Sequence, residues 1–224
     1  MNFTPPVELV VFDLDGTLLN SIDDLATSAN HALAHYGYPQ HALSEYPFFV
    51  GNGITKLIER ALPTEARTDE IIAKVREEFV LYYQAHKTDY TRVYPGIAEL
   101  VEALHRTGCK LAVASNKYHR GTVELIHHYF GEQLFDVVLG QREDIPAKPD
   151  PSIVYEILEK TGVSPEHTLY VGDSGVDMQT AANCGITSIG VSWGFRPMEE
   201  LKQNDACYIA DEAADIAKIA GISL

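Results

Sequence analysis

Residues of the kinds that carry out acid, base and metal chemistry occur in four short segments of this chain. They are Asp13 and Asp15, Ser115 and Asn116, Lys148, and Asp173 with Asp177. Carboxylates that meet at one point repel each other unless a cation lies among them, and a hard, oxygen-seeking ion such as Mg²⁺ suits that role. These segments contain none of the His or Cys residues that softer metals prefer. If the fold brings the segments together, they predict Mg²⁺-dependent chemistry built on carboxylates.

The hydrophobic pattern predicts strands that end at or near these segments. The apolar run from Val7 to Phe12 predicts a buried strand that ends at Asp13. Further strands are predicted at 110–114, 135–139, 168–171, 187–191 and 207–209, with helices between them. This alternation predicts an α/β fold, a Rossmann-like parallel sheet with helices on both faces. Ligands of such sheets bind beyond the carboxyl ends of the strands, so we expect the polar segments to meet at one edge.

The stretch that follows the first strand has a different periodicity. Between about residues 20 and 88 the pattern is helical throughout, with predicted helices at 22–36, 54–62 and 68–86. A block of helices has no place in an alternating sheet. We therefore predict a small all-helical cap domain at 20–88, inserted after strand 1 into an α/β catalytic core formed by 1–19 and 89–224.

Four motifs along the chain resemble those of the haloacid dehalogenase superfamily, specifically its phosphatase branch. They are Asp13-Leu14-Asp15-Gly16-Thr17-Leu18, Ser115-Asn116, Lys148-Pro149 and Gly172-Asp173-Ser174-Gly175-Val176-Asp177. The motifs occur in the family's order, and the helical block lies where the family inserts its cap. The resemblance covers nearly the whole chain. It implies a Mg²⁺-dependent phosphomonoester hydrolase that acts through a phospho-aspartate intermediate.

The resemblance also implies roles for individual residues. Asp13 is expected to be the nucleophile, and Asp15 the general acid that then acts as base for the attacking water. Ser115 is expected to hydrogen-bond a phosphoryl oxygen, and Lys148 to neutralise the charge of Asp13 and the transferring group. Gly16 and Thr17 are expected to offer backbone N–H groups to the phosphate.

The remaining expectations concern the metal and its surroundings. The expected metal positions are Asp13, Asp15 and Asp173, with carboxylates from the first and last and a backbone carbonyl from the Asp13–Asp15 loop. Asp177 is expected to orient Lys148 or a metal-bound water, or simply to be an acid in the first turn of a helix. Asn116 is expected to support the site or touch the substrate.

One segment of the predicted cap bears on the substrate. Val50-Gly51-Asn52-Gly53, followed by Lys56, resembles the corresponding segment of phosphoglycolate phosphatases. Free N–H groups of Gly51, Asn52 and Gly53 at a helix start could hold a small carboxylate, and Lys56 is a nearby cation. The alternative is that the glycines only turn one helix into the next. The lead substrate is 2-phosphoglycolate, and the alternatives are a sugar phosphomutase, a phosphatase or pyrophosphatase of another small metabolite, or a non-enzymatic receiver that carries a phospho-aspartate.

Net charge and cysteine content limit the classes of partner and the cell compartment that we expect for this protein. The 224 residues carry a formal net charge of −15, and a surface this acidic repels nucleic acid and anionic lipid. The three cysteines form no CxxC pair, and no apolar run has the length of a signal peptide or a membrane span. We expect a cytoplasmic protein, a monomer or homodimer, whose partner is a small-molecule phosphate ester and neither nucleic acid nor membrane.

Overall fold

The computed structural model describes residues 6–224, and residues 1–5 of the predicted core lie outside it. The strands are β1 (Leu9–Phe12), β2 (Leu19–Asn20), β3 (Arg92–Val93), β4 (Lys110–Tyr118), β5 (Val137–Gln141), β6 (Thr168–Gly172), β7 (Thr187–Val191) and β8 (Tyr208–Ala210). Six of them form a parallel sheet in the order β5-β4-β1-β6-β7-β8. The predicted α/β fold with a parallel sheet is confirmed.

The sheet is buried on both faces because helices cover each side. The helices are α1 (Ile22–His35), α2 (Tyr46–Phe49), α3 (Gly53–Ala61), α4 (Asp69–His86), α5 (Ile97–Arg106), α6 (His119–Phe130), α7 (Ser152–Thr161), α8 (Gly175–Cys184), α9 (Met198–Gln203) and α10 (Ala213–Ala220). Alternate residues of a strand point to opposite faces. Val10 and Phe12 of β1 accordingly pack in a cluster with α5, α6 and α10, whereas Leu9 and Val11 pack with α7 and α8.

The four helices α1 to α4 pack mainly on one another. Their buried side chains form a separate hydrophobic cluster that includes Leu33, Tyr46, Ile58 and Phe79. Helix α4 begins at a conventional cap, because the Thr68 hydroxyl accepts a hydrogen bond from the Ile71 N–H. The predicted helices of this stretch are present, and α2 is an additional short one.

The chain passes between the sheet and the helices α1 to α4 twice, at adjacent points. Strands β2 and β3 pair antiparallel, with Leu19 opposite Val93 and Asn20 opposite Arg92. Beside them the buried carboxylate of Asp24 accepts hydrogen bonds from the N–H groups of Tyr90 and Thr91 and from the Thr91 hydroxyl. Both passages are therefore tied together at one place.

The topology places one strand where a ligand is expected. Strand β1 is central, and the chain adds β4 and β5 on one side of it before returning to add β6, β7 and β8 on the other. Such a reversal of strand order opens a crevice beyond the carboxyl ends of the strands. Within the described residues, no helix is long and apolar enough to cross a membrane.

Candidate active site

Asp13 occupies the centre of the crevice. It follows β1 directly, and its N–H extends the ladder to β6 by donating to the Val171 carbonyl at 2.9 Å. Its side chain is buried, and one carboxylate oxygen accepts a hydrogen bond from Lys148 Nζ at 2.9 Å. The strand end therefore delivers a carboxylate whose charge is balanced by a buried ammonium.

Asp15 lies two residues further on, in a tight turn closed by hydrogen bonds from the N–H groups of Leu18 and Leu19 to the Leu14 carbonyl. Its two carboxylate oxygens lie 3.0 and 2.9 Å from Lys117 Nζ. The Ser21 hydroxyl donates to one of those oxygens at 2.5 Å. Asp13 and Asp15 thus contact different lysines, Lys148 and Lys117.

Lys148 is the hub of the buried polar cluster. Besides Asp13, its Nζ donates to Asp177 at 2.8 Å, to the Ala114 carbonyl at 2.8 Å and to the Tyr170 hydroxyl at 3.0 Å. Burial alone would lower the pKa of Lys148, but Asp13 and Asp177 outweigh it and raise that pKa well above its ordinary value. Lys148 is therefore an ammonium ion.

The backbone of Lys148 is fixed by Asn116. The Asn116 amide oxygen accepts from the Lys148 N–H at 2.9 Å, and the amide nitrogen donates to the Lys148 carbonyl at 3.2 Å. The same nitrogen donates to the Gly51 carbonyl at 3.0 Å, in the turn between α2 and α3. Asn116 therefore connects the loop that carries Lys148 to the turn between α2 and α3.

Asp173 follows β6 and is packed between two glycines. A Cβ added to Gly16 would lie 2.2 Å from Asp173 Oδ2, and one added to Gly194 would lie 2.2 Å from Asp173 Cβ. The Phe195 N–H donates to Asp173 Oδ2 at 2.7 Å. Glycine is required at these two positions because any side chain would displace the carboxylate.

The carboxylates of this crevice have the properties of a cation site. Asp13, Asp173 and Asp177 each place one oxygen within 4.8 Å of the others. Burial raises the pKa of Asp13 to about 7, against the opposing effect of Lys148. Burial, with repulsion from Asp177 and Asp13, raises the pKa of Asp173 well above its ordinary value. The group holds more negative charge than Lys148 can balance, and a divalent cation would stabilise it.

The three carboxylates differ in how far they are already engaged. Asp177 accepts from Lys148 with one oxygen and from the Ser174 N–H and hydroxyl with the other. Asp13 and Asp173 are therefore the better-placed metal ligands. Asp15 lies outside this group of three, so its predicted metal contact stays a prediction for its backbone carbonyl.

A pocket opens between this polar floor and the helices above it. Asp13, Asp15, Ser115 and Asp173 contribute to the floor. The helical side contributes apolar side chains, namely Leu25, Val50, Ile54 and Leu57. The pocket therefore combines a carboxylate-rich floor, which would attract a cation, with an apolar wall.

Some predicted site residues contact the site differently from what the sequence indicated. The N–H groups of Gly16 and Thr17 close their own turn, by donating to the carbonyls of Leu19 and Leu14. Among the described residues, no backbone carbonyl accepts from the N–H of Leu14 or Asp15, so these are the turn's available donors. The expectation that Gly16 and Thr17 supply free N–H groups is wrong for this geometry, because the turn uses them.

In the helical segment, Gly51 and Gly53 border the pocket, but two of their neighbours do not. Lys56 is exposed and pairs with Glu59 at 2.6 Å. Asn52 accepts a hydrogen bond from Arg60 at 2.7 Å. The structure thus brings the two glycines to the site and leaves Lys56 and Asn52 outside its lining.

Two charged residues of the pocket were not predicted from the sequence. Lys117 follows Ser115-Asn116 directly, and a cation next to a predicted site motif was the available signal. Arg196 lies after β7 and donates to the Val50 carbonyl at 3.0 Å. Only its place beyond a predicted strand end pointed to it.

Comparisons with known proteins agree with this architecture. A sequence model of haloacid dehalogenase-like hydrolases matches residues 10–191. A phosphoglycolate phosphatase from Mannheimia succiniciproducens is 35% identical over 218 residues, which cover 95% of this chain and 97% of that protein. One from Vibrio vulnificus is 32% identical and covers 97% of both chains. The crystal structure of a predicted phosphoglycolate phosphatase from Haemophilus somnus superposes with a TM-score of 0.89 at 33% identity, covering 95% of this chain and 97% of that one.

Proposed function

The chain belongs to the haloacid dehalogenase-like hydrolase family, and from that premise we propose that it is a Mg²⁺-dependent phosphatase that forms a phospho-aspartate on Asp13. The observation that carries the proposal is the arrangement at the carboxyl end of β1. Asp13 contacts Lys148, whereas Asp15, two residues on, is held by Lys117 and Ser21. One carboxylate is thereby kept for attack and the other for proton transfer.

The proposed reaction has two steps. In the first, a carboxylate oxygen of Asp13 bonds to phosphorus, the ester P–O bond breaks, and Asp15 protonates the departing alkoxide. In the second, water attacks phosphorus, Asp15 takes a proton from that water, and the Asp13 O–P bond breaks to release phosphate. The N–H groups of Leu14 and Asp15 and the hydroxyl of Ser115 would hold phosphoryl oxygens.

The metal has a defined place in this proposal. Asp13, Asp173 and the backbone carbonyl of Asp15 would hold Mg²⁺, which supplies neutralisation of the phosphoryl oxygens when bound. The donor set supports this assignment because it consists of buried oxygens with excess negative charge. Asp177 and Tyr170 act only indirectly, by fixing Lys148.

We propose further that residues 20–88 form a cap domain and that the lead substrate is 2-phosphoglycolate. The separate hydrophobic cluster of α1 to α4 and the pocket beneath them support the cap. The similarity to phosphoglycolate phosphatases supports the substrate. Arg196, at the mouth, has five N–H donors, more than its contacts to Val50 and Glu200 occupy, and so can bind the substrate carboxylate.

A panel of phosphate esters assayed with Mg²⁺ tests the proposal. Wild type should release phosphate from 2-phosphoglycolate, and Asp13→Asn should lower kcat by ~10³-fold or more because the nucleophile is lost. Asp69→Asn is the matched control, since Asp69 is an exposed residue at the start of α4. Wild-type turnover by Asp13→Asn would refute the mechanism.

The same panel separates the alternatives. A preference of about tenfold for hexose phosphates over 2-phosphoglycolate, equal to ~1.4 kcal/mol of transition-state binding, would refute the substrate assignment. Phosphate release without a bisphosphate activator excludes a phosphomutase. A phosphorylated protein that stays intact for minutes would favour a receiver.

A further inference from the structure

Lys117 makes the most complete contact of any lysine with a single carboxylate in the described structure. Its Nζ lies 2.9 and 3.0 Å from the two oxygens of Asp15, and its side chain is only 4% exposed. The Ser21 hydroxyl donates to the oxygen that lies 3.0 Å from Lys117, Asp15 Oδ1. Rotation of the Asp15 carboxylate would therefore break at least two hydrogen bonds in a buried place.

Lys117 also reaches the helical segment. Its Nζ lies 4.8 Å from the ring centre of Tyr83 in α4, and Tyr83 is fully buried. An ammonium at this distance from an aromatic face is attracted to it. The support of Asp15 therefore includes a residue of the proposed cap.

The two buried lysines divide the carboxylates between them. Lys148 contacts Asp13 and Asp177, and Lys117 contacts Asp15. Each therefore acts on a different member of the Asp13/Asp15 pair. Loss of Lys117 would leave Ser21 as the one side chain that the described structure places on Asp15.

We propose that Lys117 is a positioning residue for Asp15: it holds the Asp15 side chain toward the water that attacks phospho-Asp13, next to the ring of Tyr83. In that step the water gives a proton to Asp15, its oxygen bonds to phosphorus, and the Asp13 O–P bond breaks. The inference rests on the proposed function, since it assigns a role within that site. It adds a residue that lies outside the four motifs.

The test uses 4-nitrophenyl phosphate, whose leaving group departs without a proton. Lys117→Met should lower steady-state kcat by ~10²-fold and lower KM in proportion, so that kcat/KM changes by less than about threefold, because only the step that follows release of nitrophenolate is impaired. The first turnover should remain fast and give a burst of nitrophenolate close to one per enzyme. Lys117→Arg, which keeps the charge, should recover most of the loss.

A double-mutant cycle shows whether Lys117 acts through Asp15. In an Asp15→Asn background, Lys117→Met should lower kcat by less than about twofold. Lys110→Met is the matched control on the same strand. Lys110 lies at the opposite end of β4 from Lys117, where it donates to the Thr161 carbonyl. If Lys117→Met does not fold, Lys117→Gln replaces it, because the amide donates a hydrogen bond without the charge.

Three outcomes would overturn the inference. An equal loss of kcat in both backgrounds would show that Lys117 does not act through Asp15. A raised KM with unchanged kcat would show that it binds substrate instead. Absence of the burst would place its effect before phospho-Asp13. If wild type hydrolyses neither 4-nitrophenyl phosphate nor 2-phosphoglycolate, the proposed function itself fails, and this inference fails with it.

Discussion

Replacing Lys148 with methionine removes the ammonium from the centre of the site and keeps most of the side-chain volume. Asp13, Asp177, the Ala114 carbonyl and the Tyr170 hydroxyl all lose a donor that lies between 2.8 and 3.0 Å away. Removing one partner of a buried ion pair costs about 3–5 kcal/mol, since the remaining charge is left uncompensated. We expect Lys148→Met to be less stable than wild type by that amount near neutral pH.

The size of this loss should depend on pH. Burial raises the pKa of Asp13 to about 7, so at about pH 5 this carboxyl is largely protonated and needs no counter-charge. The difference between variant and wild type should therefore shrink by ~1 kcal/mol or more on going from about pH 8 to about pH 5. Adding Asp13→Asn to Lys148→Met should restore part of the stability at high pH for the same reason.

Urea unfolding followed by circular dichroism, in EDTA, measures these differences. With a slope of ~2–3 kcal/mol per molar urea, the expected loss moves the midpoint by ~1–2 M. Lys160→Met is the control, since Lys160 is exposed and lies 3.6 Å from Glu156; it should change stability by less than ~0.5 kcal/mol. Midpoints of Lys148→Met and wild type that agree within about 0.3 M, or a gap independent of pH, would refute the reasoning.

Two further predictions concern the metal-free site and the mouth of the pocket. The pKa of Asp13 is about 7 in the folded protein and lower in the unfolded protein, so the folded state binds the proton more tightly. In EDTA, the free energy of unfolding of wild type should therefore fall by ~2–3 kcal/mol relative to that of Asp13→Asn between about pH 5 and pH 8. Addition of Mg²⁺ should reverse this loss in urea titrations. A pH-independent difference would contradict it. Arg196→Met should raise KM for 2-phosphoglycolate by ~10-fold or more and change KM for 4-nitrophenyl phosphate by less than about twofold. Arg120→Met, at an exposed position, should change neither value. Equal effects on both substrates would count against carboxylate binding by Arg196.

The sheet and the strand-end residues were predictable because each depends on a short stretch of sequence. Apolar runs of four to six residues predict parallel strands, and all parallel strands end at the same edge. That reasoning is sufficient to bring Asp13, Ser115 and Asp173 together. It needs no knowledge of how the loops beyond the strands are folded.

The contact of Lys117 with Asp15 was not predictable in that way. It joins residues 102 positions apart, and it depends on β4 continuing beyond its apolar part to Tyr118, with an irregular register after Ser115. Hydrophobic periodicity ends the strand at Ala114, where the polar residues begin. A polar residue at a strand end can be placed by sequence, but its partner cannot.

Lys56 shows the same limit for a helix. The sequence suggested Lys56 as a cation close to a carboxylate held by the turn at residues 51–53. In the structure Lys56 pairs with Glu59 on the exposed surface, and Arg60 turns to the Phe49 carbonyl and the Asn52 side chain. Local periodicity defines which residues share a face, whereas the rotation of that face toward the site depends on the packing of α3 against α4.

The paired passages at β2 and β3 bear on how such a protein can change over evolutionary time. Because Leu19–Asn20 pairs with Arg92–Val93, the stretch between them begins and ends at adjacent points, as expected of an inserted cap. Such an insertion can be lengthened, shortened or exchanged without altering the spacing of Asp13, Lys148 and Asp173. If the proposed cap selects the substrate, its sequence is thereby free to diverge faster than the residues proposed to carry out the reaction.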